Sequence, residues 1–342
     1  MQPGNRESVV RMGQGARLLL AAGLILAVPL ATDTLSDQPP SPALAKEASE
    51  HPAGSPTRSL QPRTKPFLST YRLPDNLTFA GAPVPVNLWQ VRERIEFEFY
   101  RFLESEGDSI LLAKRTGRCF PPAERQLAEA GLPDDLKYIL LVESKCVSAA
   151  YSKAKASGPW QFIPSTGRMF ALENNTWKDD RRDLELSTEA AVKYLKKLHD
   201  LFNGDWYLAM AAYNAGEANI QKSMREQKVT DYWKLHYVTE TMRYVPRIIV
   251  SKEIFSQPER YLGIAKADLY SPLNTEVVTV IIKESQRHLT SVAEQYGTYF
   301  LELKLLNPEI RKDHLPRGTH RIKIPRRNEE CPTVCLKADV PH

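Results

Sequence analysis

The chain has 342 residues, 42% hydrophobic and 25% charged, with a formal net charge of +5. At roughly 100–200 residues per domain that leaves room for about two domains and some extra segments. The ordinary composition excludes a polytopic membrane protein, a collagen-like chain and a wholly disordered one. The positive charge is mild and unclustered, which argues against a nucleic-acid partner. The 4 cysteines and 7 histidines form no CxxC or HExxH pattern, so no metal site and no cofactor is expected.

Arg6, Arg11 and Arg17 lead into the apolar run Leu18–Leu30, which is short for a bilayer span. Residues 1–31 therefore read as an export signal, with cleavage candidates at Pro29-Leu30-Ala31 and Ala43-Leu44-Ala45. An uncleaved anchor helix is the alternative, giving association with a membrane or wall through the N-terminal segment. Either way the bulk of the chain is exported, where disulfides can form. Residues 32–86 read as a Pro/Ser-rich disordered linker, because 32 to about 70 hold too little apolar surface to order themselves. From Asn87 a helical pattern begins, with Leu88, Val91, Ile95, Phe99, Phe102 and Leu103 at helix spacing. A short helix over Ser109–Thr116 should stop at Gly117, and another over Pro122–Ala130 should end at Gly131. Pro133 then opens a helix whose first turn carries Asp134 and Asp135, at the positive end of its dipole.

On that helix Leu136, Ile139 and Leu140 form an apolar stripe, and the next position on the stripe is Glu143. A carboxylate on a buried face loses hydration, which raises its pKa. An acid kept protonated near neutral pH is what donation to a glycosidic oxygen needs. A buried Glu paired with an Arg, or one that merely sits at the helix end, would give the same pattern. Downstream, Trp177-Lys178-Asp179-Asp180-Arg181-Arg182-Asp183 reads as a polar, salt-bridged loop. Ser187 is expected to cap a helix over Glu189–Phe202, stopped by Gly204, and Asp205 to cap Trp206–Asn214. Pro246 should kink or interrupt the helix after Tyr244. After a linker at 263–274 come a strand at Glu276–Ile282, helices from Thr290 and Phe300, a turn at Leu315–Gly318 and a strand at Arg321–Pro325. Residues 327–342 form a tail, in which Cys331 and Cys335 either bridge locally or do nothing.

Four motifs follow in order: Glu143-Ser144; Tyr151 to Gly167, containing Gly158-Pro159-Trp160-Gln161-Phe162; Ala211-Ala212-Tyr213-Asn214-Ala215-Gly216; and Glu240-Thr241-Met242-Arg243-Tyr244-Val245. Together they resemble the soluble-type lytic transglycosylase family (family 1) over about 115–260. The resemblance implies a mainly α protein with a goose-lysozyme-like all-α catalytic domain, placed at 87–262. It implies Glu143 as the catalytic acid. Ser152, Gly158, Gln161, Tyr213, Asn214 and Tyr244 would serve as substrate-side residues, with Gly158 letting backbone approach the sugar. It also implies periplasmic or envelope work on peptidoglycan glycan strands without a cofactor. One Glu protonates the oxygen between N-acetylmuramic acid and N-acetylglucosamine, then deprotonates the muramic C6 hydroxyl, which closes a 1,6-anhydro ring. A lysozyme-type hydrolase or a non-catalytic wall-binding protein on the same fold remain the alternatives. Trp160, Trp177 and Trp206 either stack on sugars or pack in the core.

Two departures from the family pattern stand out. Lys155 occupies a position that is usually small and glycine-like, and Cys119 and Cys146 occupy positions usually aromatic. The paired replacement raises a Cys119–Cys146 disulfide as one outcome and two free thiols as the other. The strand–helix–helix–strand at 275–326 resembles a LysM domain, a small α+β (βααβ) unit that binds N-acetylglucosamine-containing glycans. Leu289-Thr290-Ser291-Val292-Ala293, Leu306-Asn307-Pro308 and Ile322-Lys323-Ile324-Pro325 carry that match. The usual Gly-Asp-Thr-Leu opening is replaced by Gln286-Arg287-His288-Leu289, so glycan binding and a purely structural role both stay open.

Overall fold

A computed structural model describes residues 68–326. The expected export signal, most of the linker and the tail with Cys331 and Cys335 lie outside the described residues. Contacts divide the chain into two units. Of the shorter, Ala22–Arg72, the described part holds one 3-10 turn at Leu68–Thr70. The other unit contains everything from Leu73 onward.

That unit begins with a small hairpin, β1 (Thr78–Phe79) and β2 (Ala82–Pro83). Leu73, Leu77, Phe79, Val84 and Val86 are buried. The expected linker at 32–86 is therefore corrected at its C-terminal end: these apolar residues, set among prolines, join the core instead of staying solvated. Helix α1 (Trp89–Glu104) follows, burying the predicted Val91, Ile95, Phe99 and Leu103.

The two short helices expected next are one continuous helix, α2 (Glu106–Glu129), running through Gly117, Pro121 and Pro122. Tertiary packing outweighs the local breakers: Leu112, Ala113, Phe120, Ala123 and Leu127 bury one face. Gly117 is there for close approach, because a Cβ would collide with the Tyr270 carbonyl oxygen. Tyr270 N–H donates to Lys114 O at 2.8 Å, so the expected linker at 263–274 is docked along α2. α2 ends as predicted, with Gly131 at φ +66°. A 3-10 turn (Asp134–Tyr138) then leads into α3 (Ile139–Ser144).

After α4 (Pro164–Met169) comes α5 (Leu184–Leu201). Its cap is Asp183, not Ser187: the Asp183 carboxylate accepts from Leu186 N–H, while the Ser187 hydroxyl donates back to Asp183 O. α6 (Trp206–Ala215) has the predicted Asp205 cap, accepting from Tyr207 and Leu208 N–H. α7 (Glu217–Gln227), α8 (Thr239–Ser256) and α9 (Pro258–Leu262) complete the helical body. α8 is not interrupted at Pro246. The carbonyl that Pro246 leaves without an N–H partner belongs to Met242, and the Tyr232 hydroxyl donates to it at 3.4 Å.

The C-terminal segment has the expected βααβ order: β3 (Thr275–His288), α10 (Leu289–Gln295), α11 (Phe300–Leu306) and β4 (His314–Pro325). The strands are antiparallel, with a register shift between Ile282 and Gln286. The turn expected at Leu315–Gly318 lies within β4, because the bulge in β3 lets Leu315 and Pro316 pair with Arg287 and Gln286. Val280, Ile282, Leu289, Val292, Leu303, Leu315 and Ile322 form a core of their own. Among the described residues no helix is long and apolar enough to cross a membrane. The mainly α body with a small α+β unit matches the fold class read from the sequence.

Candidate active site

Glu143 sits in the last turn of α3. Leu136, Ile139 and Leu140 are fully buried, and their stripe turns Glu143 inward. Glu143 is half-buried. Its Oε1 accepts a 2.5 Å hydrogen bond from the hydroxyl of Tyr244, in α8. Burial pushes its carboxyl up to about 7. The Tyr244 hydrogen bond and the charge of Arg247 oppose that rise, and the charge of Glu240 adds to it. Tyr244 binds Oε1, and Oε2 is not part of that hydrogen bond. The alternative of an Arg-paired glutamate does not hold, since Arg247 spends its guanidinium elsewhere. Its Nε donates to Glu98 and its Nη1 to Glu240, both at 3.2 Å.

Just after Glu143 the chain reverses through two successive left-handed residues, Lys145 (φ 54°) and Cys146 (φ 57°). Each non-glycine residue in that region costs roughly 1–2 kcal/mol. Three ties hold the turn: a Cys119–Cys146 disulfide with Cα atoms 6.0 Å apart, a 2.7 Å Lys145–Asp108 ion pair, and a 3.1 Å hydrogen bond from Arg115 to Lys145 O.

The other site residues divide into two groups. Tyr213 and Asn214 lie at the end of α6, and Tyr213 is near enough to the acid to feel its charge. The Tyr213 hydroxyl donates to Trp160 O at 2.7 Å, and burial followed by the charge of Glu143 pushes its pKa up. Asn214 Oδ1 accepts from Thr241, one turn before Tyr244 on α8, which pins α6 to α8. Ser152, Gly158 and Gln161 lie on the turn between α3 and α4. Ser152 Oγ accepts from Ala156 N–H at 3.1 Å, and Gln161 Nε2 donates to Gly158 O at 2.7 Å. No hydrogen bond joins this turn to Glu143 directly. Its link to the acid runs through Trp160 O and Tyr213.

Gly158 has an internal reason to be glycine. It is buried at φ +86°, and the space of a Cβ is filled by the Arg181 carbonyl oxygen, so the close approach is internal. Lys155, the departure noted above, is exposed and left-handed at φ 64°. Trp160 is fully buried and donates to Thr188 Oγ1, and Trp206 is buried beside the stacked ring of His199, so both are core. Trp177 packs edge-on against His314, with ring centres 4.4 Å apart.

Sequence reasoning missed two elements of the site. Glu98 is 2% exposed and is bound by Arg243 at 2.5 Å and by Arg247. It lies on the buried stripe of α1 between Ile95 and Phe99, the same signal that singled out Glu143. The polar run at 177–183 is salt-bridged as expected, yet Asp179, Asp180, Arg181 and Asp183 are buried. No signal in the run itself separates a buried charge cluster from a solvated one. Among the described residues no cluster of His, Cys, Asp and Glu could hold a metal ion.

Residues 121–236 match the family model described as "Transglycosylase SLT domain". The matched segment includes Glu143, Ser152, Gly158, Gln161, Tyr213 and Asn214 and ends before Tyr244. The chain is 31% identical over 210 residues to "Membrane-bound lytic murein transglycosylase D" of Escherichia coli (strain K12), covering 60% of this chain and 46% of the relative. It is 37% identical over 103 residues to "Putative tributyltin chloride resistance protein" of Alteromonas sp., covering 30% of this chain and 50% of the relative. The chain thus spans about half the length of the curated relatives it matches. A solved structure of an inactive mutant of lytic transglycosylase Slt from Pseudomonas aeruginosa aligns with a TM-score of 0.33 and 24% identity, over 44% of this chain and 26% of that one. The chain is thus similar to the transglycosylase SLT domain over residues 121–236 and to lytic murein transglycosylase D over the aligned region.

Proposed function

We propose that this chain is a peptidoglycan lytic transglycosylase of the bacterial cell envelope. The observation that carries the reading is Glu143: a single carboxyl, pushed up to about 7 and held by Tyr244, inside the segment that matches the SLT domain. Its Oε2 proton passes to the oxygen between N-acetylmuramic acid and N-acetylglucosamine, and the bond from that oxygen to C1 breaks. The resulting carboxylate takes the proton of the muramic C6 hydroxyl, whose oxygen bonds to C1. Glu143 is regenerated, no water is consumed, and the product ends in 1,6-anhydro-N-acetylmuramic acid. Tyr244 holds Oε1 so that the other oxygen faces the bond. Tyr213, Asn214, Ser152 and Gln161 line the substrate side, with Gly158 shaping the turn beneath them.

Two-carboxylate glycosidases need a second acid positioned across the bond. Here Glu240, whose charge reaches Glu143, is tied to Arg247 at 3.2 Å, which supports the one-acid scheme. The catalytic body spans 87–262 with the 73–86 hairpin packed into it, and the 275–326 unit is LysM-like. Digestion of purified peptidoglycan by the chain, with mass spectrometry of the released muropeptides, tests the reading. Anhydro-terminated products that vanish in Glu143→Gln support it. Products about 18 Da heavier, one water, would mean hydrolysis instead.

A further inference from the structure

The charged segment 177–183 touches two places at once. Arg181 and Asp179 form a buried bidentate pair, with Nε to Oδ1 at 2.7 Å and Nη2 to Oδ2 at 2.8 Å. Arg181 Nη1 donates to both Lys155 O and Phe162 O at 2.8 Å. Its own carbonyl fills the space beside Gly158, and its side-chain stem lies 3.2 Å from where a Cβ on Gly167 would sit. Arg181 thus fixes both ends of the 155–162 turn that carries Gly158 and Gln161. On its other side the segment is held by the C-terminal unit. Asp179 N–H donates to Glu309 O at 2.9 Å, and Arg311 N–H donates to Trp177 O at 2.8 Å. Lys323 Nζ pairs with Asp183 at 2.6 Å, and Lys178 bridges to Ile310. Lys323 is in turn set by Asn307, which accepts its N–H and donates to its carbonyl.

We propose that Arg181 is a positioning residue for the cleavage reaction, and that the C-terminal unit acts through Lys323 and the 177–183 segment as a brace for the cleft rather than as a tethered binding arm. This rests on the transglycosylase reading above. The route from brace to chemistry is continuous: Lys323 to Asp183, the segment to Arg181, Arg181 to the 155–162 turn, Trp160 O to Tyr213, and Tyr213 beside Glu143. A guanidinium is needed at the centre because three nitrogens are used at once, in a fixed planar geometry that an ammonium cannot reproduce. Misplacement of a substrate-holding element by about 1 Å can cost on the order of a hundredfold in rate.

The test uses the full chain with Arg181→Lys, Lys323→Gln and both together. Lys323 has a side chain 25% exposed, so its variant should fold even if Arg181→Lys does not. Anhydro-muropeptide release is measured against peptidoglycan concentration and pH, and amide hydrogen exchange is measured at Ser157, Gly158 and Gln161. The expected result for Lys323→Gln is a kcat lowered on the order of tenfold with KM and the pH midpoint unchanged, and faster exchange at the three amides. Arg181→Lys should do the same more strongly, and the double variant should lose less than the two effects added. A raised KM with unchanged kcat and exchange would make the unit a glycan-binding arm and overturn the proposal. Additive effects, or loosened exchange with unchanged kcat, would overturn it too. A wild-type chain that releases no anhydro product fails the functional reading, a result scored separately from the exchange data.

Discussion

Glu143→Gln should make the protein more stable at alkaline pH and not at acidic pH. The Glu143 carboxyl has an ordinary value of 4.5 and is pushed up to about 7 in the folded chain. Between those values the folded state keeps a proton that the unfolded state has lost. The contribution of this carboxyl to folding stability is therefore fully present below 4.5, drains away as pH rises from 4.5 to 7, and is gone above 7. At about 1.36 kcal/mol per pH unit the liability is at most about 3.4 kcal/mol, and less because the residue is only half-buried. The amide has no proton to lose and keeps nearly the same shape. Urea unfolding of both proteins at pH 4.5 and pH 8, with m-values compared, isolates the term. Glu309, also pushed up to about 7 by burial, contributes its own slope equally to both proteins and cancels in the difference. A midpoint difference that is the same at both pH values, or a variant less stable at pH 8, would refute the argument that burial dominates this carboxyl.

Three further outcomes can be checked. Tyr244→Phe removes a hydrogen bond that holds the Glu143 value down, so the alkaline limb of the pH–rate profile should move above 7 while kcat falls roughly ten- to a hundredfold; a limb that moves to lower pH contradicts this. Reduction of the Cys119–Cys146 bridge, which spans 27 residues, should cost about 3.5 kcal/mol by the loop-entropy relation, seen as a lower Tm in calorimetry with reductant; an unchanged Tm means the bond contributes nothing. Gly158→Ala must accommodate both φ +86° and the Arg181 carbonyl, so circular dichroism should report a chain that is largely unfolded or strongly destabilised; a native-like Tm would mean that the turn can move.

What the sequence disclosed depended on whether the deciding partner was local. The α1 stripe, the Asp205 cap and the Gly131 stop are local, and each was readable. Glu143 was legible because its neighbours on the stripe are all large and apolar. The stop expected at Gly117 and the fresh start at Pro122 do not occur, and α8 is not interrupted at Pro246, for reasons that lie outside the local sequence. Tyr270 lies 153 residues from Gly117 and needs its missing Cβ, and the Tyr232 hydroxyl supplies a donor to Met242 O that Pro246 cannot. The same holds for Arg181: its guanidinium is held by Lys155 O and Phe162 O, neither of which a charge run can reveal.

The hydrogen bond between Tyr244 and Glu143 joins residues 101 positions apart. The acid and the hydroxyl that binds it come from different helices, α3 and α8, so their contact exists only where those two helices pack together. A chain ending between residues 237 and 243 would hold the whole matched segment and still lack the Tyr244 hydroxyl that binds Glu143. The site is in that sense completed from outside the matched segment, with α8 as the part that arrives last along the chain.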